Sequence, residues 1–341
     1  MTLRLKRLIP AALAASALMF AACQREGEAT EPAEVATTAE AAPATCARAA
    51  DPAFLAEAEA KAIAAAKASQ GIGQPAMWTL KDADTTLHIL GTVHLLRPDL
   101  EWRTPDIGAA IAAADTVVFE ADTTSPEAGR ELMKFFSTQG MFSDGTQLTS
   151  LLSEAEISVL NSALAEVGLP LEAVQPMRPW YAALNLSVMQ MTAGGFDPAS
   201  GVEMKIEAEA SEKGAAFEYL ETVDQQLGGF ASLDNCAQVE FLMMTAGSMD
   251  SGVEMLDLLV AEWADGDAAG LGALMASPES FGSKAAYDAL LVNRNARWTP
   301  MIADMLDAPG TRLIAVGAGH LVGDESVIAM LRAEGYEVAG P

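Results

Sequence analysis

The stretch Thr85-Thr86-Leu87-His88-Ile89-Leu90-Gly91-Thr92-Val93-His94 is an apolar β-strand pattern that runs into a glycine turn and ends in a histidine. The run Gly317-Ala318-Gly319-His320 follows the strand-like residues 312–316 in the same way. The two glycine turns that follow these strands, residues 91–94 and 317–320, contain two of the chain's three histidines. Imidazole is a frequent metal ligand and proton carrier near neutral pH, so histidines at two matching strand ends indicate a functional site. His88 lies inside the first strand pattern, and we interpret it as structural.

Two further strand patterns end in a carboxylate. Glu120 follows the β-branched run 116–119, and residues 215–221 form a strand pattern that ends in Glu221. If the four strands are parallel in one sheet, right-handed crossovers place the two histidines and the two glutamates along its carboxyl edge. Open α/β sheets bind ligands at this edge, and we therefore expect the four residues to share a cleft.

The two glutamates also have a plainer interpretation as helix-capping residues. Residues 122–126 and 222–224 are rich in the side chains that start helices, and Glu120 and Glu221 precede them. Arg294, on a late helix, has two interpretations as well. It reaches the same edge and neutralises charge on a substrate oxygen, or it forms a surface salt bridge. The residue pattern alone leaves these alternatives open.

Strand patterns near both ends of the chain enclose a largely helical middle. A hairpin is predicted from residues 76–80 and 85–90, and a last strand from residues 336–338. Helical periodicity dominates residues 125–214 and 234–306. The sequence therefore predicts an α/β (α+β) fold with one central mixed β-sheet and a large helical insertion, about residues 125–214, that covers the carboxyl edge of the sheet.

The glycines of the two histidine runs have a predicted use. Gly91, Gly317 and Gly319 lack a Cβ atom, so they permit a positive φ and a close approach of neighbouring backbone. Either property lets the chain turn sharply and direct a histidine into a cleft.

The residues at the predicted edge have the chemistry of a metal site. His94, His320 and Glu120 offer two imidazoles and one carboxylate. With open positions, such a set suits a divalent transition metal and an activated water. Glu221 and Arg294 are further catalytic candidates at the same edge.

The charge of the chain excludes one class of partner. Its 20 basic and 47 acidic residues give a formal net charge of −27. A protein of this charge repels polyphosphate, so nucleic acid is not an expected partner.

The N-terminus has the pattern of an export signal. Arg4, Lys6 and Arg7 form a positive start and an apolar centre follows, so residues 1–22 are predicted to be a signal peptide. Cys23 ends a run that resembles a bacterial lipobox, and we predict that it carries lipid. Ordinary signal cleavage after residue 22 is the alternative. Either way the chain is expected to be exported.

The rest of the chain divides into a tether and a domain. Residues 23–50 contain few large apolar side chains, so they are predicted to be a lipidated N-terminus and a disordered linker. Residues 51–341 are predicted to form a single domain. In an oxidising compartment Cys46 and Cys236 form a disulfide or remain two free thiols, and their spacing does not decide between these states.

An ordered set of motifs resembles the TraB/GumN family (TraB/PrgY/GumN). The order and spacing match across about residues 74–340. Gly201-Val202-Glu203 stands where many bacterial members have Gly-x-Asp, so this loop departs from the family pattern. The matching motifs are Gly91-Thr92-Val93-His94, Phe119-Glu120-Ala121-Asp122, Leu220-Glu221-Thr222 with Gln225 and Gln226, Arg294-Asn295, Val316-Gly317-Ala318-Gly319-His320-Leu321 and Gly335-Tyr336-Glu337-Val338.

The resemblance implies a fold shared with the Tiki metalloproteases and, more distantly, with the erythromycin esterases and the ChaN haem-binding lipoproteins. In the Tiki branch, two Gly-x-x-His motifs and an acidic residue form a divalent-metal hydrolase site, with Mn or Co favoured. Carried over by motif, this implies that His94, His320 and Glu120 bind a metal ion (Mn, Co or Zn) and that Arg294 is an accessory residue.

The leading hypothesis is a metal-dependent hydrolase of the cell envelope that cleaves a peptide or amide bond with a metal-activated water. Glu120 then ligates the metal or acts as base, and Arg294 stabilises the oxyanion. Two alternatives belong to other classes. A non-catalytic lipoprotein could bind and sequester peptides, because TraB and PrgY members are associated with shutting down peptide-pheromone signalling. A haem- or metal-binding lipoprotein is implied by the ChaN likeness.

The expected partners are a peptide or small-molecule substrate and a membrane, which the chain contacts through lipid on Cys23. We expect a periplasmic lipoprotein. The outer membrane is favoured over the inner one, because Gln24 follows Cys23 in place of the Asp that commonly retains lipoproteins at the inner membrane.

Overall fold

The computed structural model describes residues 52–341. The predicted signal peptide, the lipidation site Cys23, the linker and Cys46 lie outside the described residues. Cys236 is disulfide-bonded. None of the helices in this range is both long and apolar enough to cross a bilayer.

A six-stranded mixed β-sheet forms the centre of the domain, with the strand order β4-β3-β5-β2-β1-β6. The four strands β4, β3, β5 and β2 are parallel, whereas β1 pairs antiparallel with both β2 and β6. This arrangement confirms the predicted mixed α/β fold; the likeness to ChaN remains a prediction. The strands are β1 (Met77–Lys81), β2 (Thr85–Thr92), β3 (Thr116–Phe119), β4 (Ala216–Tyr219), β5 (Gly310–Gly317) and β6 (Val338–Ala339).

Helices account for most of the remaining chain. Those between β3 and β4 form the insertion predicted from the sequence, and a second helical segment separates β4 from β5. The helices are α1 (Pro52–Ala68), α2 (Pro105–Ala113), α3 (Pro126–Phe135), α4 (Glu154–Glu166), α5 (Pro179–Ala193), α6 (Val202–Glu212), α7 (Val223–Ala231), α8 (Asn235–Gly247), α9 (Met249–Asp265), α10 (Ala268–Met275), α11 (Lys284–Tyr287), α12 (Asn293–Asp304) and α13 (Val327–Ala333).

The central strands are buried on both faces. In β5, residues 313–316 are at most 1% exposed, and Leu87, Ile89 and Leu90 of β2 are fully buried. Near-continuous apolar runs of this kind are typical of parallel strands that have helices on both sides. A second apolar cluster joins α4, α5 and α8 of the helical layer, with Leu160 at its interior.

Local side chains explain where two elements begin. The predicted hairpin is present, because Asp82 Oδ1 accepts hydrogen bonds from the backbone N–H groups of Asp84 and Thr85 and closes the turn. The last helix starts at residue 327. Ser326 is its N-cap, and its side chain accepts a hydrogen bond from Ala329 N.

The carboxyl ends of the four parallel strands lie side by side. Thr92 of β2 is in register with Gly317 of β5, and Phe119 of β3 with Tyr219 of β4. The two predicted histidines and the two predicted glutamates follow these ends within three residues. The predicted parallel arrangement and the shared edge are therefore confirmed.

The glycines at this edge act through close approach alone. Gly91, Gly317 and Gly319 all have negative φ, so the predicted use of a positive φ is wrong. A Cβ atom on Gly91 would lie 3.1 Å from the Cα atom of Ala318, and one on Gly317 would lie 3.0 Å from Glu120 Oε1. The absence of a side chain lets the two histidine runs pack against each other and against the glutamate.

The helical insertion reaches the carboxyl edge beside β2. Val202 N, at the start of α6, donates a hydrogen bond of 3.0 Å to the carbonyl oxygen of Val93. A Cβ atom on Gly201 would lie 2.2 Å from the carbonyl oxygen of His94. Glycine is therefore required at position 201 for the first turn of α6 to sit against the histidine run.

Candidate active site

Glu120 lies in the middle of a buried polar cluster directly after β3. It is 7% exposed. Its Oε1 accepts a hydrogen bond from Gly317 N at 2.7 Å, and its Oε2 accepts from Gln226 Nε2 at 3.0 Å and from Arg294 Nη2 at 2.5 Å. Groups from β5, α7 and α12 therefore fix both carboxylate oxygens.

Arg294 joins both glutamates to His320. Its Nη2 donates to Glu221 Oε1 at 2.5 Å, and its Nε donates to the same oxygen at 3.0 Å. Its Nη1 donates to the Leu290 carbonyl at 3.2 Å and lies 3.1 Å from His320 Nε2. The guanidinium also stacks over the Trp298 ring, 4.7 Å from its centroid. A single cation therefore holds the buried half of the site together.

The hydrogen bonds of His320 define its tautomer. Its Nδ1 lies 2.6 Å from Asn295 Oδ1, and Asn295 Nδ2 donates to the Glu325 carbonyl, which fixes the orientation of the amide. An amide oxygen only accepts, so Nδ1 carries the proton and the lone pair is on Nε2. Burial lowers the pKa of His320 to about 3, with Arg294 acting in the same direction, so the ring is neutral at pH 7. Its Nε2 lies 3.9 Å from Glu120 Oε1.

His94 occupies the open half of the site. Its side chain is 63% exposed, and its Nδ1 lies 2.8 Å from Glu203 Oε1. Thr92 Oγ1 donates a short hydrogen bond to the same oxygen. The negative charge of Glu203 raises the pKa of His94 to about 9. Within residues 52–341 no hydrogen bond joins His94 to Glu120, but the charge of that carboxylate still acts on it.

The two glutamates at the edge have pKa values displaced in opposite directions. Burial alone would raise the pKa of Glu120, but His320, which is protonated in the acid range where Glu120 titrates, and Arg294 outweigh burial and hold this pKa well below its ordinary value. Burial raises the pKa of Glu221 in spite of the hydrogen bonds from Arg294. Glu120 is therefore the firmly ionised carboxylate, and Glu221 is the one that takes up a proton more readily.

Other residues cap the helices that follow the two glutamates. Ser125 caps α3 and Thr222 caps α7, each through a side-chain oxygen that accepts from the backbone. The capping interpretation of Glu120 and Glu221 is therefore wrong. The surface interpretation of Arg294 is also wrong, because this residue is only 8% exposed.

The structure brings Glu120, Glu221, Arg294 and His320 into one network and places His94 beside it. Sequence reasoning did not assign the residues that hold this network in place, which come from helices. Gln226 and Asn295 belong to the motifs that resemble the family, but the sequence predicted no role for them. Trp298 is four residues after Arg294 and lies on the same face of α12. Glu203 could have been found from its position in the first turn after Gly201. The remaining histidine, His88, contacts Thr79 of β1.

The donor chemistry of the site fits a divalent transition metal. Within residues 52–341, no three His, Cys, Asp or Glu side chains stand close enough to hold one metal ion as they are placed. However, an acceptor holds the Nδ1 atom of His94 and of His320, so Nε2 is the atom of each ring that would bind a metal. This is the usual state of metal-binding histidines. The Arg294 guanidinium contacts His320 Nε2 and Glu120 Oε2 in this structure.

Comparison with known proteins places these residues in a family. The chain is similar to the Escherichia coli (strain K12) protein named "Uncharacterized protein YbaP", with 22% identity over 247 residues, which are 72% of this chain and 87% of that protein. The Shigella flexneri protein of the same name matches equally. No solved structure matches the chain. The TraB/PrgY/gumN family matches residues 76–339, which include every site residue named above. The chain therefore belongs to the TraB/PrgY/gumN family.

Proposed function

We propose that the protein is a metal-dependent hydrolase that cleaves a peptide or amide bond. The observation that carries this proposal is the state of its two edge histidines. His94 and His320 each have an acceptor on Nδ1, and the Nε2 of neutral His320 lies 3.9 Å from the ionised carboxylate of Glu120. Two imidazole nitrogens and one carboxylate are a common ligand set for a catalytic transition metal.

His94, His320 and Glu120 would hold the ion, with Mn, Co and Zn as the candidates. A divalent ion supplies Lewis acidity, which polarises a carbonyl group and lowers the pKa of water. Arg294 must release His320 Nε2 for that atom to bind a metal. The two hydrogen bonds that Arg294 makes to Glu221 Oε1 keep the guanidinium at the site after such a shift.

The remaining groups have roles that follow from their charges. Arg294 is a buried cation at the carboxyl edge, so it stabilises negative charge that develops on a substrate oxygen. Glu221 binds and orients this guanidinium. Burial raises the pKa of Glu221, which makes it the better proton donor of the two glutamates. Glu120, with its lowered pKa, serves as ligand or as base.

We also propose where the protein acts. The sequence pattern at Cys23 supports a lipid anchor, and the preceding 22 residues support export. The proposed location is the periplasmic side of the cell envelope, with the outer membrane favoured over the inner. The proposed substrate is a peptide or a small molecule with an amide bond, and the net charge of −27 argues against nucleic acid.

The test is a cleavage assay on the purified mature protein with a peptide library, with and without Mn²⁺, Co²⁺ or Zn²⁺. We expect cleavage that depends on metal and is lost in both His94→Ala and His320→Ala. His88→Ala is the matched control, because the ring of this third histidine pairs with Thr79 of β1 rather than with a site residue, and it should retain full cleavage.

Three results would contradict the proposal. Cleavage that survives both edge-histidine substitutions would exclude these residues as ligands. Peptide affinity without cleavage, unchanged after metal removal, would indicate a sequestering protein. A Soret band after reconstitution with haem would indicate a haem-binding lipoprotein.

A further inference from the structure

Glu203 has contacts that go beyond a surface ion pair. Its Oε1 accepts from Thr92 Oγ1 and lies 2.8 Å from His94 Nδ1. Thr92 is 2% exposed and is the last residue of β2, so it cannot turn to solvent for another partner. One carboxylate oxygen therefore ties the end of a central strand to the exposed histidine that follows it.

The backbone around Glu203 is fixed against the same run. Val202 N donates to the Val93 carbonyl at 3.0 Å, and the close packing of Gly201 on His94 leaves no room for a side chain. Glu203 is in the first turn of α6, where the helix dipole favours a negative charge. These backbone contacts position the Glu203 carboxylate independently of its contact with the imidazole.

The consequence concerns which nitrogen of His94 is free. A carboxylate only accepts, so its partner atom Nδ1 carries a hydrogen. In the neutral ring the lone pair is then on Nε2, the atom that is not held by Glu203. His320 is arranged in the same way by Asn295, from a different helix. Each histidine therefore has its own helix-borne acceptor.

We propose that Glu203 is a positioning residue that selects the His94 tautomer with a free Nε2 and thereby prepares this ring to bind a metal. The inference rests on the proposed function for its metal-binding consequence. The choice of tautomer does not depend on metal and is tested separately. Glu203 itself is not proposed as a ligand, because its oxygen already serves Thr92 and His94.

The first measurement is the ¹⁵N spectrum of histidine-labelled mature protein without metal, at a pH where the His94 ring is neutral. Only three histidines are present, so single substitutions assign their signals. We expect the Nδ1–H tautomer for His94 in the wild type and its loss in Glu203→Ala. Glu203→Gln retains an accepting oxygen and should restore the tautomer. Glu212→Ala, an exposed position on the same helix, is the matched control and should leave it unchanged.

The second measurement is Co²⁺ affinity in the same four proteins. Loss of such a supporting acceptor typically costs roughly 10- to 100-fold in metal affinity, and we expect this weakening in Glu203→Ala alone. A Glu203→Ala protein that keeps the Nδ1–H tautomer would overturn the inference. If the wild type takes up no Co²⁺, the proposed hydrolase fails, while the tautomer comparison still decides the role of Glu203.

Discussion

The two halves of the candidate site hold their histidines by opposite means. The side chain of His94 is 63% exposed and pairs with the charged Glu203, whereas the side chain of His320 is 7% exposed and pairs with the neutral amide of Asn295. As a result the pKa of His94 is raised to about 9 and that of His320 is lowered to about 3. The two histidines follow neighbouring strands at the same edge of the sheet, but their rings do not carry the same charge at neutral pH.

The comparison shows which interactions the fold depends on. In the buried half, Glu120 and Glu221 are compensated by one guanidinium, so that removal of the cation leaves two buried carboxylates. In the open half, solvent reaches His94 and replaces most of what a lost partner provides. We therefore expect substitutions in the buried half to lower the free energy of unfolding strongly and substitutions in the open half to lower it only slightly.

Arg294→Ala should give the largest effect. It leaves Glu120 and Glu221 buried without their common cation, and breaking a buried ion pair typically costs about 3–5 kcal/mol in the free energy of unfolding. Urea unfolding measures this loss. The matched control is Arg297→Ala, which removes a half-exposed arginine 3.4 Å from Glu221 and should cost less than about 1 kcal/mol. Equal losses in the two variants would contradict the distinction between the two halves.

The acid side of the stability profile should report on His320. Its pKa is 6.5 in the unfolded chain and about 3 in the folded one, so between these values only the unfolded chain binds the proton. The free energy of unfolding therefore falls as the pH falls, by about 2 kcal/mol between neutral pH and pH 5. Urea titrations across this range should show that His320→Gln removes the slope. An unchanged slope in this variant would mean that the ring is protonated in the folded protein.

The alkaline side should report on His94 with a smaller effect. Its pKa is 6.5 in the unfolded chain and about 9 in the folded one, so the folded chain holds the proton between these values. Stability is therefore lost as the pH rises from 6.5 through 9. Solvent screening of the exposed pair limits this loss to less than about 1 kcal/mol. The same titrations on His94→Gln should flatten the profile above pH 6.5, and a loss as steep as that on the acid side would contradict the comparison.

The residues at the strand ends could be predicted because sheet geometry determines their position. Parallel strands place whatever follows them at one edge, so His94, Glu120, Glu221 and His320 could be grouped from strand patterns alone. Glu203 and Asn295 could not be assigned in this way. They come from helices distant in sequence, and their contacts depend on how each helix docks on the sheet.

The error about the glycines has a related cause. Gly91 and Gly317 were expected to permit a positive φ and a close approach of neighbouring backbone; the close approach is present, but both keep a negative φ, so only that part of the expectation is wrong. Their use is steric, since a Cβ atom at either position would press on a neighbour at about 3 Å. A turn is indicated by the residues of one segment, whereas close approach depends on a partner segment that is distant in the chain, 197 residues away in the case of Gly317 and Glu120.

The most direct measurement is anomalous diffraction from crystals of the mature protein grown with Mn²⁺ or Co²⁺. We predict one strong peak within bonding distance of the Nε2 atoms of His94 and His320 and of the Glu120 carboxylate, with Arg294 displaced from His320 and still bound to Glu221. A peak at another place in the protein, or none at saturating metal with Arg294 still on His320 Nε2, would contradict a shared metal ion at this edge.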